Sequence, residues 1–164
     1  MNMFAQANPQ EEFAKAVKVV ESVLAGFGLE PNRSRLNTTD GSTAWSVLRG
    51  SAEVLIFLNP AQNNGPNFMR VVSPIWRLPQ GTPDQLNAIL RKLLELNGRE
   101  LFGCGFGLMR DDVVLVTERV CKDMDRGEVE DILKNIGATG DHFDDWLATQ
   151  FGGTRLADLR KPAP

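Results

Sequence analysis

The chain has 164 residues, of which 42% are hydrophobic and 24% are charged, and its formal net charge is −3. This length and composition are typical of a folded domain that buries a core without disulfides or bound metal, and they argue against disorder. The acidic balance argues against a nucleic-acid-binding domain, because such domains usually carry a basic surface.

The sequence also bears on the compartment. Met1–Pro9 lacks the basic and apolar regions of a secretory signal, and no apolar run approaches the length of about 18 residues that a membrane helix needs. The two cysteines, Cys104 and Cys121, do not form a CxxC pair and are expected to be reduced thiols. We therefore expect a cytoplasmic protein that binds neither a membrane nor nucleic acid.

Apolar residues at helical spacing predict three helices. They cover Glu11–Phe27, Thr82–Gly98 and Asp125–Phe151. Thr82 and Gln85 are spaced as a capping box at the start of the second helix. Gly137 and Gly140 are expected to break or kink the third helix, because glycine is a poor helix former.

Five strands are predicted between and after these helices. They cover Thr43–Arg49, Glu53–Leu58, Phe68–Leu78, Leu101–Met109 and Val113–Val120. Pro74 cannot donate a ladder hydrogen bond, so the third strand should lie at a sheet edge or carry a bulge. The order α-β-β-β-α-β-β-α predicts an α+β fold with a five-stranded antiparallel sheet and segregated helices. We expect one domain over 11–151, with loosely ordered tails at 1–10 and 154–164.

Two strands lack the alternation of a half-exposed strand. Val54–Leu58 and Val113–Val116 are apolar without interruption, so both faces of the sheet need cover. The cover is either the protein's own helices divided between both faces, a second copy of the chain, or a partner polypeptide. A large apolar face left exposed would indicate an interaction site.

Three glycines alternate along the fourth predicted strand. Gly103, Gly105 and Gly107 leave one face of that strand bare, which indicates the close approach of a helix, a tryptophan or a second copy. The G-x-G-x-G pattern is not followed by a helix and does not match the phosphate-binding loops.

Two tryptophans lie on predicted strands. Trp45 and Trp76 are either core residues or anchors for a partner if they face solvent. The predicted protein-binding residues are Trp45, Val47, Phe57 and Trp76.

Candidate catalytic residues are few. The one histidine, His142, lies beside Asp141, Asp144 and Asp145 on a predicted helix. Asp141 and Asp145 share a helix face and could hold a cation, although a solvated acidic face is the simpler interpretation. No nucleophile and base stand in a catalytic pattern. The sequence therefore predicts no enzyme activity, no metal and no cofactor.

Three stretches resemble a known family. They read T-A-W-S-V-L-R-G-S-A-E-V-L-I-F-L, L-L-E-L-N-G-R-E-L-F-G-C-G-F-G-L and H-F-D-D-W-L-A-T-Q-F-G. Together they resemble the YbjN-like group, specifically its cyanobacterial branch, whose fold is similar to that of type III secretion chaperones. The resemblance covers roughly residues 11–151.

The resemblance implies cytoplasmic homodimers that have no catalytic site and bind extended client segments along apolar sheet surfaces. It also implies that the second helix contributes to the dimer interface. Together with the glycine-rich strand, the predicted interface residues are Leu86, Ile89, Leu90, Leu93, Gly103, Gly105 and Gly107.

The predicted function is therefore a non-catalytic protein-binding module, chaperone-like or regulatory, that binds a segment of a client protein as a homodimer. Two alternatives stay open. One is a small-molecule sensor or enzyme with a pocket near the glycine-rich strand. The other is a transcription-related regulator.

Overall fold

The computed structural model describes residues 8–63 and 65–160. Within them, the helices are α1 (Pro9–Gly26), α2 (Pro31–Ser34), α3 (Pro83–Arg99), α4 (Arg126–Phe151) and α5 (Leu156–Leu159). The strands are β1 (Arg35–Leu36), β2 (Thr43–Arg49), β3 (Ala52–Asn59), β4 (Phe68–Arg77), β5 (Gly105–Met109), β6 (Asp112–Val120) and β7 (Thr154–Arg155). Of the predicted tails at 1–10 and 154–164, residues 1–7 and 161–164 lie outside the described residues.

The strands form one sheet in the order β1-β2-β3-β4-β6-β5, and β7 pairs with β4 outside that path. The pairs β1–β2, β4–β7 and β5–β6 are antiparallel. The predicted α+β fold with an antiparallel sheet is confirmed, but the described residues contain seven strands instead of five. The additional strands, β1 and β7, have two residues each, which is too short for an alternating pattern to be visible in the sequence.

Pro74 lies within β4, which is flanked by β3 and β6. The edge position, one of the two predicted alternatives, is therefore wrong, whereas a bulge at Pro74 stays a prediction. Proline has no backbone N–H to donate to a neighbouring strand, which favoured an edge position. Long-range pairing nevertheless places β4 between two other strands.

The chain divides into two compact units. Among the described residues, one comprises 8–46, 56–63, 65–70 and 118–131, and the other comprises 47–55, 71–117 and 132–160. The first has buried apolar side chains that include Val20, Leu24, Ile56, Leu58 and Met69. The second has its own, including Val54, Val71, Ile75, Leu115, Ile136 and Leu147. A single domain over 11–151 stays a prediction.

Capping residues set the starts of the helices. α1 begins two residues earlier than predicted because Asn8 caps it, accepting a hydrogen bond from Gln10 N at 3.0 Å. The predicted capping box of α3 is confirmed: Thr82 N donates to Gln85 Oε1 at 2.9 Å, and Gln85 N donates to Thr82 Oγ1 at 3.4 Å. None of the helices among the described residues is long and apolar enough to cross a membrane.

α4 runs without a break through Gly137 and Gly140, so the predicted break is wrong, whereas a kink at these glycines stays a prediction. Gly140 is needed for packing. A Cβ at this position would lie 3.2 Å from Ser73 Oγ and 3.3 Å from Ala52 Cβ. The low helix propensity of this glycine is offset by the close approach of α4 to the sheet.

Two segments differ from the prediction in extent. β5 begins at Gly105 instead of Leu101, because Gly103 adopts a left-handed φ of 69° that ends extended pairing. The segment from Thr154, predicted to be a loosely ordered tail, forms β7 and α5 as far as Leu159. Burial of Leu156 and Ala157 holds it in place.

Candidate functional site

The two faces of β3 differ in cover. Its residues alternate strictly, and one set is buried: Ala52, Val54, Ile56 and Leu58 are each at most 2% exposed. The residues on the opposite face are only half-buried, and they are Glu53, Leu55, Phe57 and Asn59. The sequence predicted that both faces need cover, and in this strand one face has complete cover while the other is partly open. We call the second the outer face.

Close contacts with α4 identify the covered face. A Cβ on Gly140 would touch Ala52 and Ser73, and the Arg49 side chain lies against Gly137. Because side chains alternate along a strand, Leu48 and Leu55 point away from α4. Leu48 is 68% exposed. The outer face therefore presents two leucines on neighbouring strands, and the predicted binding set contained neither.

The four predicted protein-binding residues have different environments. Trp45 and Trp76 are both 0% exposed, so neither ring is available at the surface. Val47 is half-buried on the same face of β2 as Arg49, and Phe57 is half-buried on the outer face of β3. Only Phe57 of this set therefore lies on the outer face with part of its surface accessible, and a binding role for these residues stays a prediction.

Both tryptophans have partners of their own. The Arg35 guanidinium lies 5.9 Å from the centre of the Trp45 ring, which is within cation–π range. Trp76 Nε1 donates a hydrogen bond to Gly152 O at 2.8 Å. These contacts are typical of aromatic residues that belong to the core.

The residues predicted at a dimer interface are divided between core and surface. Ile89 and Leu93 are each 5% exposed and pack inside their own chain, whereas Leu86 and Leu90 are half-buried. The most exposed large apolar residues of this region are Leu94, at 68%, and Phe102, at 88%. Leu94 is part of the apolar pattern of α3 in the sequence. That pattern identified the residue but did not show whether it faces the core or solvent.

The glycines near β5 approach the protein's own residues. A Cβ on Gly105 would lie 3.6 Å from Asn97 Oδ1, and one on Gly107 would lie 3.4 Å from Val114 Cγ2. Asn97 also forms two hydrogen bonds with the backbone of β5. Its Nδ2 donates to Phe106 O at 3.2 Å, and Phe106 N donates to its Oδ1 at 2.7 Å. The close approach that these glycines permit is therefore filled in part by α3.

The acidic residues around His142 hold a hairpin. Asp141 Oδ1 accepts hydrogen bonds from Ser51 N at 3.0 Å and from Ser51 Oγ at 2.6 Å. These bonds lower the pKa of Asp141, whereas burial raises the pKa of Asp144, whose Oδ2 lies 3.0 Å from Ser51 Oγ. Ser51 has one hydroxyl proton, so its Oγ donates to either Asp141 Oδ1 or Asp144 Oδ2 at one time.

The cysteines, His142 and the carboxylates beside it have separate surroundings. Burial raises the pKa of the Cys121 thiol to about 11 and raises that of Cys104, which disfavours the reactive thiolate. His142 is exposed, and its ring meets the edge of Phe143. Asp145 forms an ion pair with Arg155, whereas Asp141 accepts its hydrogen bonds from Ser51. Over residues 8–63 and 65–160, no group of three or more His, Cys, Asp or Glu residues could hold a metal ion.

Three cavities can be described by their linings. The largest, of about 370 Å³, lies between the start of α3 and the end of α4, where Leu86, Ile89 and Phe151 line it. Two others, of about 300 and 170 Å³, lie beside the start of α1. None of these three is lined by Gly103, Gly105 or Gly107, so none is the pocket predicted beside the glycine-rich strand.

Chains of two solved complexes have a similar fold. The chain is similar to a chain of the ExsC–ExsE complex, with a TM-score of 0.53 and 14% identity over 85% of this chain and 95% of that one. It is also similar to a chain of the HopA1–SchA chaperone–effector complex, with a TM-score of 0.54 and 8% identity over 85% and 98%. At these identities the likeness shows the fold alone.

The family follows from the sequence itself. A family model described as "T3SS (YopN, CesT) and YbjN peptide-binding chaperone 1" matches residues 14–159. The chain therefore belongs to this family, which confirms the resemblance noted from its sequence, while the cyanobacterial branch stays a prediction. A search of curated proteins gives no match.

Proposed function

We propose that this chain is a non-catalytic, chaperone-like module that binds an extended segment of another protein on the outer face of its sheet. Its membership of a peptide-binding chaperone family carries the proposal. The chaperone–effector complex among its structural neighbours is consistent with a client of that kind. We further propose that it acts in the cytoplasm and as a homodimer.

The outer face has the chemistry that an extended peptide needs. Leu48 is largely exposed and Leu55 is half-buried, so both have apolar surface left to bury. An extended segment places every second side chain on one side, and such side chains can pack between exposed leucines while its polar residues stay in water. Each buried apolar side chain contributes about 1.5–3 kcal/mol before the cost of ordering the segment.

Exposed apolar residues near α3 support the homodimer. Leu94 and Phe102 are the most exposed large apolar side chains of the α3–β5 region, at 68% and 88%. Arg91 and Glu95 flank Leu94, and they carry opposite charges on the same helix. In a pair of antiparallel α3 helices related by a two-fold axis near Leu94, Arg91 of each copy would lie near Glu95 of the other.

A peptide-display experiment tests the binding surface. Short random peptides are selected on the full-length chain, and the affinity of one selected peptide is measured by fluorescence anisotropy. We expect Leu48→Asp to weaken binding at least about tenfold, because it places a charge on the outer face. Thr149→Asp, on the exposed surface of α4, should leave the affinity within about twofold.

The same experiment can contradict the proposal. Failure to select any peptide, or equal affinity of the Leu48→Asp and wild-type chains, would exclude peptide binding on the outer face. Circular dichroism and thermal melting of both variants establish that any loss of affinity is not a loss of folding.

A further inference from the structure

The last part of the described chain turns back onto the sheet. Gly152 and Gly153 both have left-handed φ values, 73° and 74°, and they reverse the chain after α4. A Cβ on Gly153 would lie 2.5 Å from Arg77 O, so only glycine fits there. β7 then pairs with the end of β4 in the register Trp76↔Arg155 and Arg77↔Thr154, and α5 follows. We call residues 152–160 the return segment.

The return segment reaches the outer face. Arg160 lies at its end, and its Nη1 is 3.3 Å from Glu53 Oε2, a residue of the outer face of β3. Arg160 Nη2 also donates to Ser51 O at 3.0 Å. Leu156 and Ala157 are 8% and 9% exposed, so their side chains fill apolar surface. The segment therefore covers one end of the face on which we place the client.

The two secondary-structure elements of the return segment are short. Its strand has two residues and its helix has four, and neither element is stable by itself. Arg155 bonds Asp145 and Asp158, whose side chains are 68% and 41% exposed. Exposed ion pairs of this kind contribute about 0–1 kcal/mol each. Opening of the segment should therefore precede global unfolding.

We propose that the return segment is a displaceable cover and that an extended client segment takes its place at the end of β4. This inference rests on the proposed function, since it assigns the regulation of the same peptide-binding face. The bound return segment indicates the chemistry of the ligand: a short extended stretch that pairs with Trp76 and Arg77 and presents apolar side chains where Leu156 and Ala157 now lie. The Gly152-Gly153 turn supplies the hinge.

Hydrogen exchange tests the opening without any client. In the full-length chain, the amides of residues 154–160 should exchange at least about 100-fold faster, after correction for intrinsic rates, than those of the centre of β3. Equal protection of the two regions would mean that the segment opens only on global unfolding, and it would overturn the proposal.

A reversible lock tests the competition. Arg77 and Thr154 are directly opposite, and residues so placed in antiparallel strands are about 4.5–5.5 Å apart, within disulfide range. We expect the oxidised double variant Arg77→Cys, Thr154→Cys to bind a selected peptide at least about tenfold more weakly than its reduced form. Each single variant should bind the peptide with the same affinity in its oxidised and reduced forms, because it cannot form the disulfide.

The outcomes separate this inference from the proposed function. Peptide binding that is unaffected by the lock overturns the displaceable cover and leaves peptide binding on the sheet intact. If no peptide binds the wild-type chain, the proposed function and the competition fail together, and hydrogen exchange alone decides whether the segment opens.

Discussion

At the residue scale, Gly140 shows how a missing side chain sets the packing of α4. The nearest atoms to an added Cβ belong to Ser73, Ala52 and Ile75, which come from two strands. None of them is the free end of a long flexible side chain, so the neighbours have little room to move. In contrast, an added Cβ on Gly98 of α3 meets nothing within 4 Å.

This contrast makes a matched prediction. Gly140→Ala should lower the free energy of unfolding by about 1 kcal/mol, because overpacking exceeds the gain in helix propensity. Gly98→Ala gains propensity without a clash and should raise that free energy by up to about 1 kcal/mol. Urea denaturation measures both. A stabilising Gly140→Ala substitution would show that α4 does not approach the sheet as closely as the structure has it.

The hydrogen bonds of Asp141 should make its contribution to stability depend on pH. Its hydrogen bonds with Ser51 lower its pKa, so the stability it contributes is complete above the unfolded-state pKa of about 3.9 and is lost as pH falls through the lower folded-state pKa. Asp141→Ala should cost about 1 kcal/mol near neutral pH. The difference from wild type should shrink below about pH 4. Acid denaturation checks this, and a difference that is constant with pH would contradict it.

The sequence could predict large apolar residues but not the side of the sheet on which each lies. Trp45 and Trp76 were the natural anchor candidates, because tryptophan is common at binding sites. Both are fully buried. Leu48 is exposed instead. Its exposure could not be predicted from the residue type, because leucine is mostly a core residue. Exposure depends on which helix covers which face, and that is a long-range property.

At the element scale, local signals predicted most of the fold. The three predicted helices α1, α3 and α4, the capping box of α3 and the five longer strands are all present. The errors fall where long-range contacts decide the outcome. β1 and β7 are too short for a pattern, and Pro74 lies in a strand whose neighbours are set by the sheet order. The return segment was missed because its few apolar residues have no periodicity of their own.

α3 carries a prediction that belongs to this scale. Leu94→Asp should weaken self-association at least about tenfold, because a carboxylate would replace an apolar side chain at the proposed two-fold axis. Sedimentation velocity over a concentration series measures the dissociation constant, with Thr149→Asp as the matched control. A wild-type chain that stays monomeric throughout, or a variant that associates as tightly, would exclude α3 as the interface.

At the scale of the whole molecule, the resemblance in three short stretches predicted the family, and the match over residues 14–159 confirms it. The order of elements predicted the α+β class because sequential strands joined by short turns form antiparallel sheets. The sequence predicted that both faces of the sheet need cover and left open what covers them. In β3, one face is fully buried and the other is half-buried. That difference supports the account of a client-binding face.

The most direct test of this account is site-specific photo-crosslinking in the full-length chain, purified from its own host. A photoreactive amino acid replaces Leu48 or Leu55 on the outer face, or Thr149 on the exposed surface of α4, and mass spectrometry maps the crosslinked peptides. We predict that the two outer-face positions crosslink to the same stretch of a second polypeptide and that Thr149 does not. Crosslinks from Thr149 to that stretch, or none from the outer face, would contradict peptide binding on the sheet.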